Sequence, residues 1–528
     1  MASAAATVDQ SNAVTQGVNP WLIAASVMLA TFMEVLDTSI AAVALPYIAG
    51  SLSASNDEAT WVLTSYLVSN AIVLPASNWC SLRFGRKRFL ISCVTIFTIA
   101  SFFCGAAPSL ALMLLARVIQ GAGGGALQPL SQAILLESFP PARRGAAMAV
   151  FALGVVVAPV IGPTLGGWLT DTYSWRYAFY INIPFGILAV FMISRFVHDP
   201  PYISKAKVPA FDMIGFGTLC VWTGCLQIIL DKGQEDDWFG AIWIRWAATF
   251  LVVSLIWFII HSWRSRDPLV CLQILKNRNF GVGCLLILLF GMAIYSTVTV
   301  LPLFYQELLG YTAFTAGLVV APRGLGAIVG SVLVGQISSK IDNRILLALG
   351  FLVFGLTTLY FGNITLDISP TTLFWPIVIT GVALAFVFVP ISTMAYGTLR
   401  NDQIGNASGL FNLMRNVGGS IGISIAQTLL VRRAALHQNE ITNFVPITGA
   451  AFQQAVQTTR LFLAGSFLGP ANAAAGANAN LYQQLIRQSL YWAFVDVFRL
   501  LALLCLGCVA IVWAFQKVKG KGPPAGAH

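Results

Sequence analysis

Apolar runs of about twenty residues, the length that crosses a bilayer as an α-helix, recur along this chain from Trp21 to its C-terminal region. Such a chain folds in lipid, where each run must satisfy its own backbone polar groups and does so as helix. Fourteen spans are expected, beginning near Trp21, Thr60, Arg88, Ser109, Arg144, Trp175, Asp212, Trp238, Phe280, Thr312, Arg344, Thr371, Ile404 and Gln488. Only 9% of the 528 residues are charged, against roughly one quarter in soluble domains, and no stretch has the make-up of a separate soluble domain. The expected fold class is an all-α integral membrane protein with 14 transmembrane helices.

The first twenty residues hold no Lys or Arg, so they lack the basic flank of a cleavable signal peptide and the first helix is expected to stay. The formal charge of +10 would suit nucleic acid if the basic residues clustered on a soluble face. They do not. With the first turn placed outside, most of the thirty Lys and Arg residues fall in segments on the opposite side, including Arg83, Arg86, Lys87, Arg88, Arg143, Arg144, Lys205, Lys207, Arg264, Arg278, Arg344, Lys517, Lys519 and Lys521. The positive-inside bias then puts both termini in the cytoplasm, and nucleic acid is not an expected partner. Nine cysteines lie in or beside apolar runs; Cys505 and Cys508 form a C-x-x-C inside the last span, where packing is the better reading than redox chemistry.

An internal repeat organises the spans. RGAAMAVFALGVVVAPVIG, 144 to 162, laid over QIGNASGLFNLMRNVGGSIG, 403 to 422, matches Gly145 with Gly405, Phe151 with Phe411, Leu153 with Leu413 and Gly162 with Gly422. Span five thus corresponds to span thirteen. A shift of eight spans implies two six-helix halves separated by an inserted pair, spans seven and eight. An even shift preserves topology, so the halves are parallel repeats of the kind that frame a central site in transporters.

Chemistry-bearing residues stand out because ionisable groups inside a membrane are costly and mark ion or substrate paths. Glu34 and Asp37 lie three residues apart on one helix face, and a carboxyl group in low dielectric favours its neutral form, which suits proton exchange. The structural alternative for Asp37 is a hydrogen-bond acceptor that fixes packing; for Glu34 it is a polar cavity lining. Arg117 lies deep in span four and needs a partner, either as part of a proton relay or in a static ion pair. Arg323, Arg415, Asp496 and Arg499 raise the same question in the second half. GAGGGA, 121 to 126, lacks the Lys and Ser/Thr of a phosphate loop and reads as close helix packing. Span five carries GVVVAPVIGPTLGG, Gly154 to Gly167, a string of helix-bending prolines and small residues.

LDTSIAAVALP (36 to 46), RFGRKR (83 to 88), Arg117 in ARVIQG, and GVVVAPVIGPTLGG together resemble the major facilitator superfamily, in its fourteen-span drug:proton antiporter branch. WRYAFYINIPFG and LQIILDKGQEDDW further resemble the EmrB-like pumps of Gram-negative tripartite efflux systems. The resemblance implies a major facilitator fold: an N-terminal tail over 1–20, a six-helix half over 21–196, a linker and inserted helix pair over 197–261, five helices of the second half over 262–431, a periplasmic loop over 432–487, the last helix over 488–516 and a tail over 517–528. It implies a proton-coupled antiporter of the bacterial inner membrane that exports amphipathic drugs by alternating access, driven by the proton gradient without a cofactor or metal, and assembled with an EmrA-like periplasmic adaptor and an outer-membrane channel. Asp37, with Glu34 beside it, becomes the proton-coupling acid and Arg117 the arginine of proton transfer. Gly85, Arg86 and Arg88 belong to the gating turn, and Gly154, Gly162, Pro163, Gly166 and Gly167 to the antiporter helix that holds the halves in outward-closed contact.

Two places depart from the family pattern. The gating turn has Asn78 and Leu82 where relatives place Gly and Asp, so its charges must be balanced from elsewhere. Span ten carries Arg323 where some relatives place an acid for dicationic drugs. Two rival functions stand beside the main one: export of a single narrow class, such as a fatty acid, siderophore or metabolite, and a membrane sensor or enzyme. The second has little support, because the four His residues form no metal-ligand cluster and no nucleotide-binding loop is present. The long loop holds GPANAAAGANAN and a more regular stretch, FQQAVQTTRLFLAGSFL, that suits an amphipathic helix.

Overall fold

The computed structural model describes residues 19–140, 143–199, 210–338, 340–444, 449–464 and 469–517. Most of both expected tails and part of the linker before span seven, with Lys205, Lys207, Lys519 and Lys521, lie outside these residues. Within them every element is helical. The N-terminal half comprises α1 (Pro20–Ser51), α2 (Asn56–Phe84), α3 (Arg86–Ala106), α4 (Leu110–Ser138), α5 (Arg144–Thr172) and α6 (Tyr177–Phe196). Two more follow, α7 (Met213–Lys232) and α8 (Ile242–Arg264). The C-terminal half is α9 (Arg278–Glu307), α10 (Phe314–Ile337), α11 (Asn343–Phe361), α12 (Pro370–Tyr396), α13 (Asn401–Phe444) and α15 (Gly469–Val512), with α14 (Ala450–Ala464) between the last two.

Thirteen of the described helices are long and apolar enough to cross a membrane. The fourteenth span is α13, which is less apolar because protein surrounds it: it packs on α9, α15, α2 and α4, and a helix facing protein needs no continuous lipid-facing stripe. The repeat appears as equivalent contacts. Gly162 of α5 leaves room only for Ser39 of α1, and Gly422 of α13 leaves room only for Met292 of α9. In each half the fifth helix is therefore seated on the first by a glycine at the same place in the repeat.

The inserted pair divides its work. At the periphery lies α8: it touches α7 and short neighbouring turns, with Trp246, Phe250, Val253 and Trp257 exposed. By contrast α7 lies across the seam between the halves, packed on α2 and also on α13. Gly224 brings it close to Val68 of α2, and Gln227 accepts a hydrogen bond from Ser420 of α13 at 2.7 Å. The charges of the pair sit at helix ends. Asp212 caps α7 through the Gly215 amide and pairs with His261 at 2.8 Å; Asp231, in the last turn, accepts from Thr64; Arg245, in the first turn of α8, is exposed. None touches the buried acids of α1. Asp212→Asn, Asp231→Asn and Arg245→Gln are each expected to leave the proton-to-substrate ratio in vesicles at its wild-type value. A changed ratio with normal insertion would put α7 or α8 in the proton path.

The segment expected as a periplasmic loop, 432–487, is largely helical where described. Its first part continues α13, its middle is α14, and its last part begins α15 nineteen residues before the expected Gln488. At 44 residues each, α13 and α15 are about 66 Å long, twice the thickness of a hydrocarbon core, so the pair projects beyond one face. The stretch with GPANAAAGANAN is alanine-rich, and alanine is the strongest helix former; its glycines and asparagines suggested a loop, but they are spaced too thinly to break the helix.

The halves meet at both faces. On the face bearing the basic turns, Gly145 abuts Ser338 and Gly405 abuts Asn78; on the opposite face, Gly317 abuts Thr164 and Gly167 lies against Phe314. Nearer the basic turns, Phe151 of α5 stacks on Phe388 of α12 with ring centroids 6.0 Å apart. At the face opposite the basic turns the contacts are made by α5 and α10.

Candidate functional site

Asp37 and Arg117 form a fully buried ion pair, Nη1 to Oδ2 at 2.7 Å, near the middle of α1 and in the first segment of α4. The other carboxylate oxygen accepts from Gln120 Nε2 at 2.8 Å and Asn182 Nδ2 at 2.6 Å. Arg117 also donates to the Val62 carbonyl at 2.9 Å and to Gln120 Oε1 at 2.6 Å, and its guanidinium lies 4.4 Å from the centre of the Tyr66 ring. Ser101 of α3 closes the ring of contacts by accepting from Gln120 at 2.7 Å. Four helices of one half thus build a polar cage around one carboxylate. Such a cage is what an ionised acid needs out of water, and adding a proton to Asp37 would remove the charge that organises it.

Glu34 lies one turn away but serves a different neighbourhood. Asn70 Nδ2 donates to Oε1 at 3.1 Å and Gln128 Nε2 to Oε2 at 2.6 Å. The oxygen of the Gln128 amide accepts from Arg415 of α13. One glutamine therefore links an acid of the first half to a cation of the second. One turn further along α4, Gln132 Oε1 accepts from Asn412 at 2.7 Å and from Tyr396 at 3.1 Å, so a second amide also crosses the seam. The glycines of GAGGGA allow this approach: Gly121 and Gly125 lie against the backbone of α2 at Tyr66 and Asn70, and Gly123 against α3 at Phe97.

The basic turn between α2 and α3 is balanced by an acid of α4 and one of the linker. Arg86 is buried and ion-paired with Glu137, and Asp199 accepts from the Lys87 amide at 2.8 Å; neither acid was singled out from the sequence. Arg88, grouped with Arg86 in the expectation, is exposed. Gly85 joins α2 to α3 with φ +85° and ψ 142°, a conformation essentially confined to glycine, and a Cβ there would meet the Asp199 carboxylate at 2.8 Å. Gly85→Ala is expected to destabilise the fold by about 2 kcal/mol, seen as a lower melting temperature of the purified protein in detergent. An unchanged melting temperature would mean that the turn relaxes freely.

Most glycines of the α5 string face their own half. Gly154 faces Met28, Gly162 faces Ser39 and Gly166 faces Ile40, all on α1 of the same half. Pro163 contributes by what it lacks: without an amide hydrogen it leaves the Pro159 carbonyl unused within the helix, and Ser39 Oγ donates to that carbonyl at 3.1 Å. Of the glycines in the string only Gly167 faces the other half, and Thr164 beside them meets Gly317 there. The second-half candidates also separate. Asp496 does not pair with Arg499; it holds His437 at 2.9 Å and Arg433 at 3.7 Å on α13, whereas Arg499 is exposed and donates to Asn363. Arg323 and Arg415 are buried at mid-span.

A two-half helical bundle with a caged acid–arginine pair inside one half is a multi-pass secondary transporter rather than an enzyme. The chain belongs to the Major Facilitator Superfamily, whose family model matches residues 27–423. It is 36% identical over 521 residues to the multidrug export protein EmrB of Haemophilus influenzae, covering 96% of each chain. It is 38% identical over 420 residues to the fatty acid resistance protein FarB of Neisseria gonorrhoeae, covering 80% of this chain and 82% of that one. Among solved structures it superposes on the proton:xylose symporter XylE with TM-score 0.54 and 15% identity, covering 93% and 96% of the two chains, a likeness of fold.

Proposed function

We propose that this protein is a proton-coupled antiporter that exports amphipathic drugs and other toxic small molecules across the bacterial inner membrane, with both termini cytoplasmic. The observation that carries this reading is the buried Asp37–Arg117 pair, an ionisable couple held at mid-span where a purely structural helix would hold hydrocarbon. The likeness to EmrB across nearly the whole chain supports the substrate class. In the cycle, a proton entering from outside neutralises Asp37, the cage loosens its hold on Arg117, and substrate leaves. The protonated carrier then reopens inward and discharges the proton to the cytoplasm. No cofactor is required, because the proton gradient supplies the work.

The helical projection of α13, α14 and α15 would stand in the periplasm and dock an EmrA-like adaptor, which hands substrate to an outer-membrane channel. Its exposed Leu436, Phe444, Leu461, Phe462 and Tyr482 support this, since apolar side chains grouped on a surface projection mark an interaction site. A second reading, export of one narrow class of substrate, is favoured by the 38% identity to FarB. A proteoliposome assay with an imposed pH gradient and a chemically diverse substrate panel separates the two. Export of several unrelated amphiphiles, each accelerated by the gradient, is the expected result. Movement confined to one class would favour the narrow reading, and movement indifferent to the gradient would remove proton coupling.

A further inference from the structure

Arg323 follows the break at Ala321 in α10 and is fully buried, yet none of its three guanidinium nitrogens has a hydrogen-bond partner among the described residues. Its helix turns Leu325, Val329 and Val332 outward, all exposed where lipid would lie, and keeps Arg323, Ala327, Ser331 and Val334 on the buried interior face. Tyr305 of α9 is packed in one cluster with Val320, three residues before Arg323, and its buried hydroxyl is likewise without a partner among the described residues. Countercharge within the protein is already committed. Among the described residues the buried acids are Glu34 and Asp37. Asp37 is held by Arg117, and the amide bound to Glu34 is taken up by Arg415. A desolvated guanidinium with no anion beside it is strongly unfavourable unless an anion arrives during the working cycle. Around Tyr305 lie Val300, Phe304, Val320 and Ile377, an apolar cluster in the same half.

We propose that Arg323, assisted by the Tyr305 hydroxyl, binds the carboxylate of amphipathic monoanionic substrates. This deepens the exporter reading and rests on it for the site's place in transport. The planar guanidinium offers the two parallel donors that fit a carboxylate, and Tyr305 adds a third. A cationic amphiphile of the same length gains nothing here and meets a like charge.

The test compares decanoate with decyltrimethylammonium, by equilibrium binding to the purified full-length protein and by export from proteoliposomes. Wild type is expected to bind decanoate more tightly. Arg323→Gln should weaken decanoate binding about tenfold or more and leave decyltrimethylammonium within about twofold, Arg323→Lys should weaken decanoate by a few-fold, because the paired donors are lost, while keeping decanoate ahead of the cation, and Tyr305→Phe should weaken decanoate alone by a few-fold. Should Arg323→Gln fail to fold, the Tyr305→Phe and Arg323→Lys pair gives the answer. Equal weakening of both probes, or unchanged decanoate binding in a folded variant, overturns the proposal. Binding and export fail separately: export of the cation without binding or export of decanoate removes the anion site and leaves the exporter reading, whereas Arg323-dependent binding of decanoate with export of neither probe removes the exporter reading and leaves the site.

Discussion

Asp37→Asn is expected to reduce proton-driven export to below about one hundredth of wild type while the protein still folds and inserts. The substitution removes the group that gains and loses the proton but keeps a side-chain oxygen where Gln120 and Asn182 donate. What it leaves behind is Arg117 without its anion, and removing one partner of a buried ion pair costs about 3–5 kcal/mol. Two features reduce that cost here. Arg117 retains the Val62 carbonyl and the Gln120 oxygen, and its guanidinium lies between the Tyr66 and Phe179 rings, 4.4 and 5.5 Å from their centres, where a cation is favoured. The measurement is substrate-induced proton release from proteoliposomes, read beside substrate exchange with no gradient imposed. Proton release should vanish and exchange should persist. Wild-type proton release in the variant would sink the assignment of Asp37, and loss of exchange as well would mean that the cage is structural. Arg117→Lys makes the complementary case: a single ammonium cannot reach Val62, Asp37 and Gln120 in one plane as the guanidinium does, so coupled export should fall about tenfold with the charge retained.

These expectations rest on two residues that stand out in the chain, because charge inside an apolar span is costly; that Arg117 meets Asp37 and not Glu34 is decided by the fold. The cage around them could not be read so. Gln120, Asn182 and Ser101 are uncharged, tolerable in a helix anywhere, and only the fold brings them to one carboxylate. Glu34 illustrates the limit of spacing arguments. Three residues correspond to 300° of helix rotation at 100° each, so Glu34 and Asp37 share a face but stand about 60° apart, enough for one to meet Arg117 and the other Gln128. Span number was legible because lipid imposes length and apolarity on every lipid-facing run. The ends of α13 and α15 were not, because a helix that leaves the membrane no longer carries the apolar signal that defined it. The glycine string of α5 was visible as a packing device, but which helix it packs on depends on rotation about the α5 axis. That rotation turns Gly154, Gly162 and Gly166 toward α1 and leaves the cross-half contact to Gly167 and to Thr164, a residue with no mark in the sequence.

That contact leads to the second large effect, Gly317→Leu. Gly317 sits in the first segment of α10, and a Cβ there would lie 2.9 Å from both the amide nitrogen and Oγ1 of Thr164 and 3.1 Å from its Cα. Backbone atoms cannot rotate away as a side-chain tip can. Nor can α5 retreat as a whole, because Ser39 is bonded to the Pro159 carbonyl at 3.1 Å and Ile40 already lies 3.1 Å from the Cβ position of Gly166. The added volume must therefore separate α5 from α10 at the face opposite the basic turns. Overpacking of this kind costs about 1–3 kcal/mol, and at the upper end that shifts a closed-to-open equilibrium by roughly two orders of magnitude. The carrier should then stay open at that face and coupled export should drop at least tenfold. Spin labels at the exposed positions Tyr173 and Thr312, in a background without reactive cysteines, should report a distance distribution moved outward by several ångströms. Gly167→Ala is the matched control: its Cβ would meet Phe314 at an ordinary 3.5 Å, so export and distances should stay near wild type although Gly167 belongs to the string and Gly317 does not. If Gly317→Leu exported normally with unshifted distances, the contact of α5 with α10 would not hold the halves together at this face, and their joining would rest on the Gln128 and Gln132 bridges to α13 and α12.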